Sequence, residues 1–340
     1  MKRLTLLFLL SYTISFTQDV QITNWYNNKK CAVVMTFDDW LEGQEKIIVP
    51  ELIKRKLPAT MFVTVQVANW RKTAFPVMRL AHANGIEIAN HTITHPSLPD
   101  ISFEKAKIEI DSARKVIMDS VPGAKCLTFA YPMGTKNPEV IRWIEKGHIA
   151  ARAVNAADEK FIKYDFDIDS ADYYKIPTAR IWHIITLEKV SRWLTYAENG
   201  GGLLTFMMHS VYDDSLATSK GWDAMPKEYM LSMMDSLKSR EDSIWVTTLE
   251  NAVKYHKEKK TSSIKVVKDK KGKMEIAIDC PLNASIYNHE LTVKLKKKSN
   301  SMTVTQNGKK LSFSESKDGQ WIFFNALPGK LEVNSSESLK

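Results

Sequence analysis

At 340 residues, 44% hydrophobic and 26% charged, the chain is longer than one ordinary domain and too apolar for a disordered or fibrous protein, so two domains with their own cores are expected. The formal charge of +9 lies entirely beyond residue 250: residues 251–340 hold 18 Lys, no Arg and 9 acidic residues, while the first 250 are balanced. Three cysteines, Cys31, Cys126 and Cys280, are too few and too scattered for a disulfide framework or a thiolate metal site, and are expected as small buried hydrophobes.

In chain order, Lys2 and Arg3 ahead of the apolar run Leu4–Leu10 predict an export signal over residues 1–18, and hence a soluble mature protein that is periplasmic or secreted. No later segment reaches the run of about 20 apolar residues that a membrane span needs. "CAVVMTF" predicts a buried strand, "QEKIIVPELIKRK" a helix, "ATMFVTV" a strand, "FPVMRLAHANG" a helix closed by Gly85, and "IEIAN" a short strand. Asn137 as N-cap, Pro138 in the first turn and Gly147 at the end predict another helix, and Thr247 with Glu250 are spaced as a capping box for one more. This alternation over residues 19–258 implies parallel strands joined by crossover helices, in a closed α/β barrel or an open doubly wound sheet.

A lysine-rich linker over residues 259–273 then gives way to short alternating segments over 274–340, with a hairpin signal at Asn307-Gly308. They predict a small antiparallel β-domain, sandwich-like. Its charge points to an anionic partner such as wall polymer or lipid headgroups, the alternative being a solvated lysine-rich exterior. No nucleic-acid partner is expected, and nothing here sets the oligomeric state.

The chemistry begins at "VVMTFDDW". An apolar strand ends in two adjacent carboxylates, Asp38 and Asp39, each of which disfavours ionisation of the other unless something compensates them. Either one Asp caps the next helix, or both serve a site. In "IEIANHTITHPSL", His91 and His95 lie four apart, so a helical turn or tight loop brings both imidazoles to one side, and "LLTFMMHSV" places His209 after another apolar strand. In a closed barrel the C-terminal strand ends share one face, where these five residues would converge and a divalent cation would compensate the carboxylates.

In this order the segments "TFDDW", "HTITH", "FAYPMG" and "LTFMMH" resemble those of the polysaccharide deacetylase family, also called the NodB-homology domain or carbohydrate esterase family 4, over roughly residues 30–255. The resemblance implies a distorted (β/α) barrel and a metal-dependent hydrolase that removes acetyl groups from an N-acetylated or O-acetylated carbohydrate. It implies Asp38 as general base, Asp39, His91 and His95 as ligands of a divalent metal, expected to be zinc, and His209 as general acid. It places the oxyanion against the backbone N–H of Met133, in a pocket with Tyr131 and Pro132.

Three positions depart from that family: Trp40 stands for Gly, Ala130 for an Arg oriented toward the base in many members, and Met133 for Tyr, while the family's Asp/Trp segment has no clear match. Trp40 is expected at the rim of the site, its face against a sugar ring; the alternative is a core position. Arg180 either reaches the base in place of the missing Arg or makes a surface ion pair. Asp165, Asp167 and Asp169 alternate as on an exposed strand face, and the methionines from Met225 to Met234 read as core filling. Two further functions compete with hydrolysis of a sugar acetyl group. A catalytically silent glycan-binding protein would need neither Asp38 nor His209; an amidase for a small non-sugar amide would need both.

Overall fold

The computed structural model describes residues 19–154, 172–214, 221–270 and 272–335; the expected signal segment and the run containing Asp165, Asp167 and Asp169 lie outside them. The chain forms two units, one made of residues 24–260 with 283–289, the other of the segments on either side.

The first described strand, β1 (Val20–Ile22), belongs to the second unit. The first unit is built on β2 (Cys31–Asp38), β3 (Thr60–Val63), β4 (Glu87–Asn90), β5 (Thr128–Ala130), β6 (Ala150–Arg152), β7 (Ala179–Arg180) and β8 (Leu203–Met208); the short β9 (Val211–Tyr212) and β10 (Met225–Pro226) precede β11 (Ile244–Thr247). The order is β6-β5-β4-β3-β2-β8-β7, all parallel, with β11 beside the first half of β2. All eight residues of β2 are buried, because strands flank it on both edges, which is why it reads as an unbroken apolar run. Ala153 N–H donates to the Ile176 carbonyl at 2.8 Å and Ile176 N–H to the Ala151 carbonyl at 3.0 Å. These bonds tie β6 to the segment entering β7 and draw the two ends of the path together, as a distorted barrel requires.

The helices between these strands are α1 (Val49–Arg55), α2 (Val65–Asn69), α3 (Ala74–Ala83), α4 (Phe103–Ser120), α5 (Pro138–Gly147), α6 (Leu187–Gly200), α7 (Lys227–Lys238) and α8 (Leu249–Thr261). In α4 the side chain of Ser102 accepts from Lys105 N–H, and Ala106, Ile110, Ala113 and Ile117 form the buried stripe. Burying each isoleucine contributes about 1.5–3 kcal/mol. In α5 Asn137 accepts from Val140 N–H at 2.8 Å. The cap of α8 is Thr248, which accepts from Asn251 N–H, and not the expected Thr247, which is still paired with Val34 in the sheet. Among the described residues no helix is long and apolar enough to cross a membrane.

The second unit pairs two antiparallel sheets. One has the order β1-β14-β18-β17, with β14 (Leu291–Lys296), β17 (Phe313–Glu315) and β18 (Trp321–Ala326). The other is β12-β13-β19-β15-β16, with β12 (Ser263–Lys270), β13 (Lys273–Asp279), β15 (Met302–Gln306), β16 (Lys309–Leu311) and β19 (Gly329–Ser335). Asn307 and Gly308, at φ 51° and 77°, form the two-residue turn between Gln306 and Lys309.

The structure divides the chain differently from the sequence reading. Residues expected as a linker form the end of α8 and the eight-residue strand β12, whose lysines mask its alternation. Val20–Ile22 pairs with β14, and residues 283–289 go with the first unit. Cys31 and Cys126 are buried as expected, but Cys280 is partly exposed.

Candidate active site

Asp38 closes β2, and the chain then turns through two left-handed residues, Asp39 at φ 76° and Trp40 at φ 58°. This turn sends the two neighbouring carboxylates and the indole in directions that simple strand alternation does not give. His91 follows β4, and the loop to His95 is not a helix: Thr92 and His95 have φ 68° and 61°. Side chains fix that loop. Asn90 Oδ1 accepts from Thr92 N–H at 3.0 Å, Thr92 Oγ1 from His95 N–H at 3.0 Å, and Glu109 Oε2 from the N–H groups of Ile93 and Thr94 at 2.9 and 2.8 Å.

Asp39 Oδ1 lies 3.6 Å from the Nε2 atoms of both His91 and His95, and the three donor atoms are within 4.8 Å of one another. His91 Nδ1 is 2.8 Å from the Ala130 carbonyl, so it carries the proton and leaves the Nε2 lone pair free as a ligand. Burial pushes the pKa of His91 down to about 3 and also lowers that of His95, which keeps both imidazoles neutral. Burial, followed by the Asp38 charge, pushes Asp39 up to about 6. Two neutral imidazoles and a carboxylate short of positive charge fit a divalent cation such as zinc.

Asp38 is the other half of the pair. Burial alone would raise its pKa, but the Arg152 guanidinium, backed by His91 and His209, outweighs that and holds the carboxyl below its ordinary value. Arg152 is fully buried, its Nη2 donates to Asp38 Oδ2, and its guanidinium lies 5.2 Å over the Phe62 ring. Asp38 Oδ1 has no hydrogen-bond partner among the described residues. His209 Nε2 stands 3.8 Å from Asp38 Oδ2, and its Nδ1 is 3.5 Å from Asp223 Oδ2.

Asp38, Asp39, His91, His95 and His209 line one cavity of about 450 Å³, together with Tyr131, Met133, Val154, Arg180, Met207 and Trp222. Met133 sits at φ 56° and is 66% exposed. Pro132, expected in the pocket, is buried within the turn and does not line the cavity.

Two further expectations are corrected. Trp40 is 0% exposed and lies in the hydrophobic core, because the left-handed turn at Asp39 carries it inward; the exposed indole on the cavity belongs to Trp222, at 65%. Arg180 does not reach Asp38. Its Nε donates to Asp223 Oδ2 at 2.6 Å, which places it behind His209, and the guanidinium beside the base comes from Arg152. The position is telling: in the parallel ladder of β5 and β6, Ala130 is paired directly with Arg152. The sequence carried a usable sign in "IAARAVN", since an arginine within a buried apolar strand must find a counter-charge. Trp222 and Asp223 follow His209 in the chain, in a segment without periodicity, and had no such sign.

Residues 26–150 match the family model described as "Polysaccharide deacetylase". A chitooligosaccharide deacetylase of Sinorhizobium fredii (strain NBRC 101917 / NGR234) is 28% identical over 124 residues, covering 35% of this chain and 55% of that protein. A gellan lyase of a Bacillus species is 22% identical over 345 residues, which is 93% of this chain but 13% of that protein. The chain thus spans about half or less of the length of these relatives. Among solved structures, a family 4 carbohydrate esterase from Bacillus anthracis aligns at 19% identity and TM-score 0.43, over 69% of this chain and 86% of that one.

Proposed function

We propose that this chain, which matches the polysaccharide deacetylase family model over residues 26–150, hydrolyses acetyl groups of an N-acetylated carbohydrate with the help of a divalent cation, zinc by the chemistry of its donors. The supporting observation is the convergence of Asp38, Asp39, His91, His95 and His209, from three strand ends, on one cavity. Asp39, His91 and His95 would hold the cation, which when bound supplies Lewis acidity and makes water acidic enough to attack near neutral pH. Asp38, kept ionised by Arg152 and with Oδ1 unpartnered among the described residues, would take the proton from the attacking water. His209, with Asp223 beside its Nδ1, gives a proton to the leaving amine. Met133 and Trp222 line the cavity, where the backbone N–H of the first would serve the developing oxyanion and the indole of the second would offer an apolar wall to the sugar ring.

The test is acetate release by purified, zinc-loaded protein from a panel of N- and O-acetylated glycans, followed by mass spectrometry. Chelation is expected to abolish release, and zinc to restore it. His91→Ala is expected to lose bound zinc and activity together, whereas Asp38→Asn retains zinc and loses about 10²–10⁴-fold in turnover. Full zinc content and unchanged turnover in His91→Ala would end the metal assignment, and equal zinc loss in Asp38→Asn and Asp39→Asn would make both carboxylates ligands.

Export and the basic second unit complete the proposal. On this proposal the expected leader over residues 1–18 would send the protein to the periplasm or out of the cell, and the lysine excess would hold it on an anionic wall or membrane surface. Lys268, Lys296, Lys297 and Lys298 are already paired, with Glu275, Asp19, Glu315 and Asp269, so other lysines of the unit carry that contact. Added salt is expected to release the full chain from such a surface, since exposed charges are screened over about 8 Å at physiological ionic strength.

A further inference from the structure

Gln44 is fully buried and opens a π-helical turn, Gln44–Ile48, directly ahead of α1. Its side-chain Nε2 donates two hydrogen bonds, to the backbone carbonyl of Asp38 at 2.5 Å and to that of His209 at 2.8 Å. The two acceptors belong to the residues assigned as base and acid. The ladder between β2 and β8 stops at the pair Phe37 and Met208, one residue short of both. Beyond it the two strand ends have no rung of their own, and the Gln44 amide supplies one.

The orientation of the amide follows from its partners, since only the NH₂ group can face two carbonyl oxygens. Its two N–H groups match two acceptors. An aliphatic side chain of the same length would leave both carbonyls without this donor, in a place closed to water. The backbone is shaped for this reach. Leu41 carbonyl accepts from the N–H groups of both Gln44 and Glu45, at 3.0 and 3.3 Å, and a Cβ at Gly43 would collide with the Val211 carbonyl oxygen, so only glycine lets this turn lie against the chain that leaves His209. Single π-helical turns are frequent at functional sites.

We propose that Gln44 is a positioning residue for the hydrolysis: it fixes the spacing between the carboxylate of Asp38 and the imidazole of His209 by clamping their backbones. It touches neither substrate nor metal ligand, and it acts through the two proton-transfer groups of the function proposed above, on which this assignment rests. A displacement of either group by about 1 Å is enough to cost about 100-fold in rate.

The experiment uses the full, zinc-loaded chain and a short N-acetylglucosamine oligomer, with wild type, Gln44→Met, His209→Ala and the double variant. Gln44→Met is expected to lower kcat by about 10- to 100-fold with KM changed less than about threefold, and to keep its zinc. In the His209→Ala background the same substitution is expected to cost much less, because one of the two groups it aligns is already gone. If Gln44→Met does not fold, Gln44→Asn takes its place; it keeps an amide one methylene too short to span both carbonyls, and the same split between kcat and KM is expected. A kcat unchanged while the melting temperature falls would show a purely structural role, and so would an equal loss in both backgrounds. Retained turnover in Asp38→Asn and His209→Ala would overturn the base and acid roles, and Gln44 with them. If those two variants are inactive and Gln44→Met is not, only the clamp is lost.

Discussion

Replacing Arg152 by Met is expected to remove most acetate release and to destabilise the barrel by about 3–5 kcal/mol, the cost of leaving one partner of a fully buried ion pair alone. The catalytic loss has a separate cause. Without the guanidinium, the strongest influence opposing burial is gone and the pKa of Asp38 rises, so more of the base is protonated when it should accept. The stability loss is therefore pH-dependent. In the wild type, Asp38 has a folded pKa below its unfolded value, so its contribution is present above the unfolded pKa and is lost as pH falls through the folded one. The gap in melting temperature between wild type and Arg152→Met should be wide near neutral pH and close on acidification. Because Ala130 and Arg152 are direct partners across two parallel strands, Ala130→Arg combined with Arg152→Ala should recover part of the activity. An Arg152→Met protein with wild-type turnover and an unaltered stability profile would show that the ion pair does not tune the base.

The residues that sequence alone located, and those it did not, divide along a physical line. β2 was legible because a strand buried on all sides reads as an apolar run, and the two His were legible because a spacing of four restricts where imidazoles can lie. The sequence marks Arg152 only as a cation in an apolar strand that needs a counter-charge; which carboxylate it serves depends on the register between β5 and β6, a non-local fact that places it beside position 130. Asp223 and Trp222 were missed because they come from an irregular segment after His209. β12 was hidden by composition: lysines at Lys265, Lys268 and Lys270 suggested a linker, yet a strand at a sheet edge can carry them on its solvent side. Val20–Ile22 was assigned to the barrel by chain proximity, but it pairs with a strand about 270 residues later, between Val20 and Leu295.

Trp40→Gly is expected to be among the most destabilising single changes in the first unit, and to leave the preference between short and long glycans unaltered. The indole is fully buried, and its removal opens a cavity worth about 3–5 kcal/mol. Glycine relieves part of this, because Trp40 holds a left-handed φ of 58° that costs a side-chain-bearing residue about 1–2 kcal/mol. The net loss is roughly 1–4 kcal/mol, read as a fall in melting temperature. Trp40→Phe separates volume from polarity. It keeps most of the ring, and it deletes an indole N–H that is buried without a partner among the described residues, so its stability should be near that of the wild type or above it. The turn itself is held from outside, by Arg71 donating to the Trp40 carbonyl while its Nε pairs with Glu45 at 3.0 Å, so neither change should displace Asp39 far enough to empty the metal site. Trp222→Ala provides the contrast at the open rim: it should leave the melting temperature unchanged and raise KM for acetylated glycans more than it lowers kcat. If Trp40→Gly instead kept its melting temperature and shifted the chain-length preference, the indole at position 40 would have to meet the sugar, and its place in the core would be wrong.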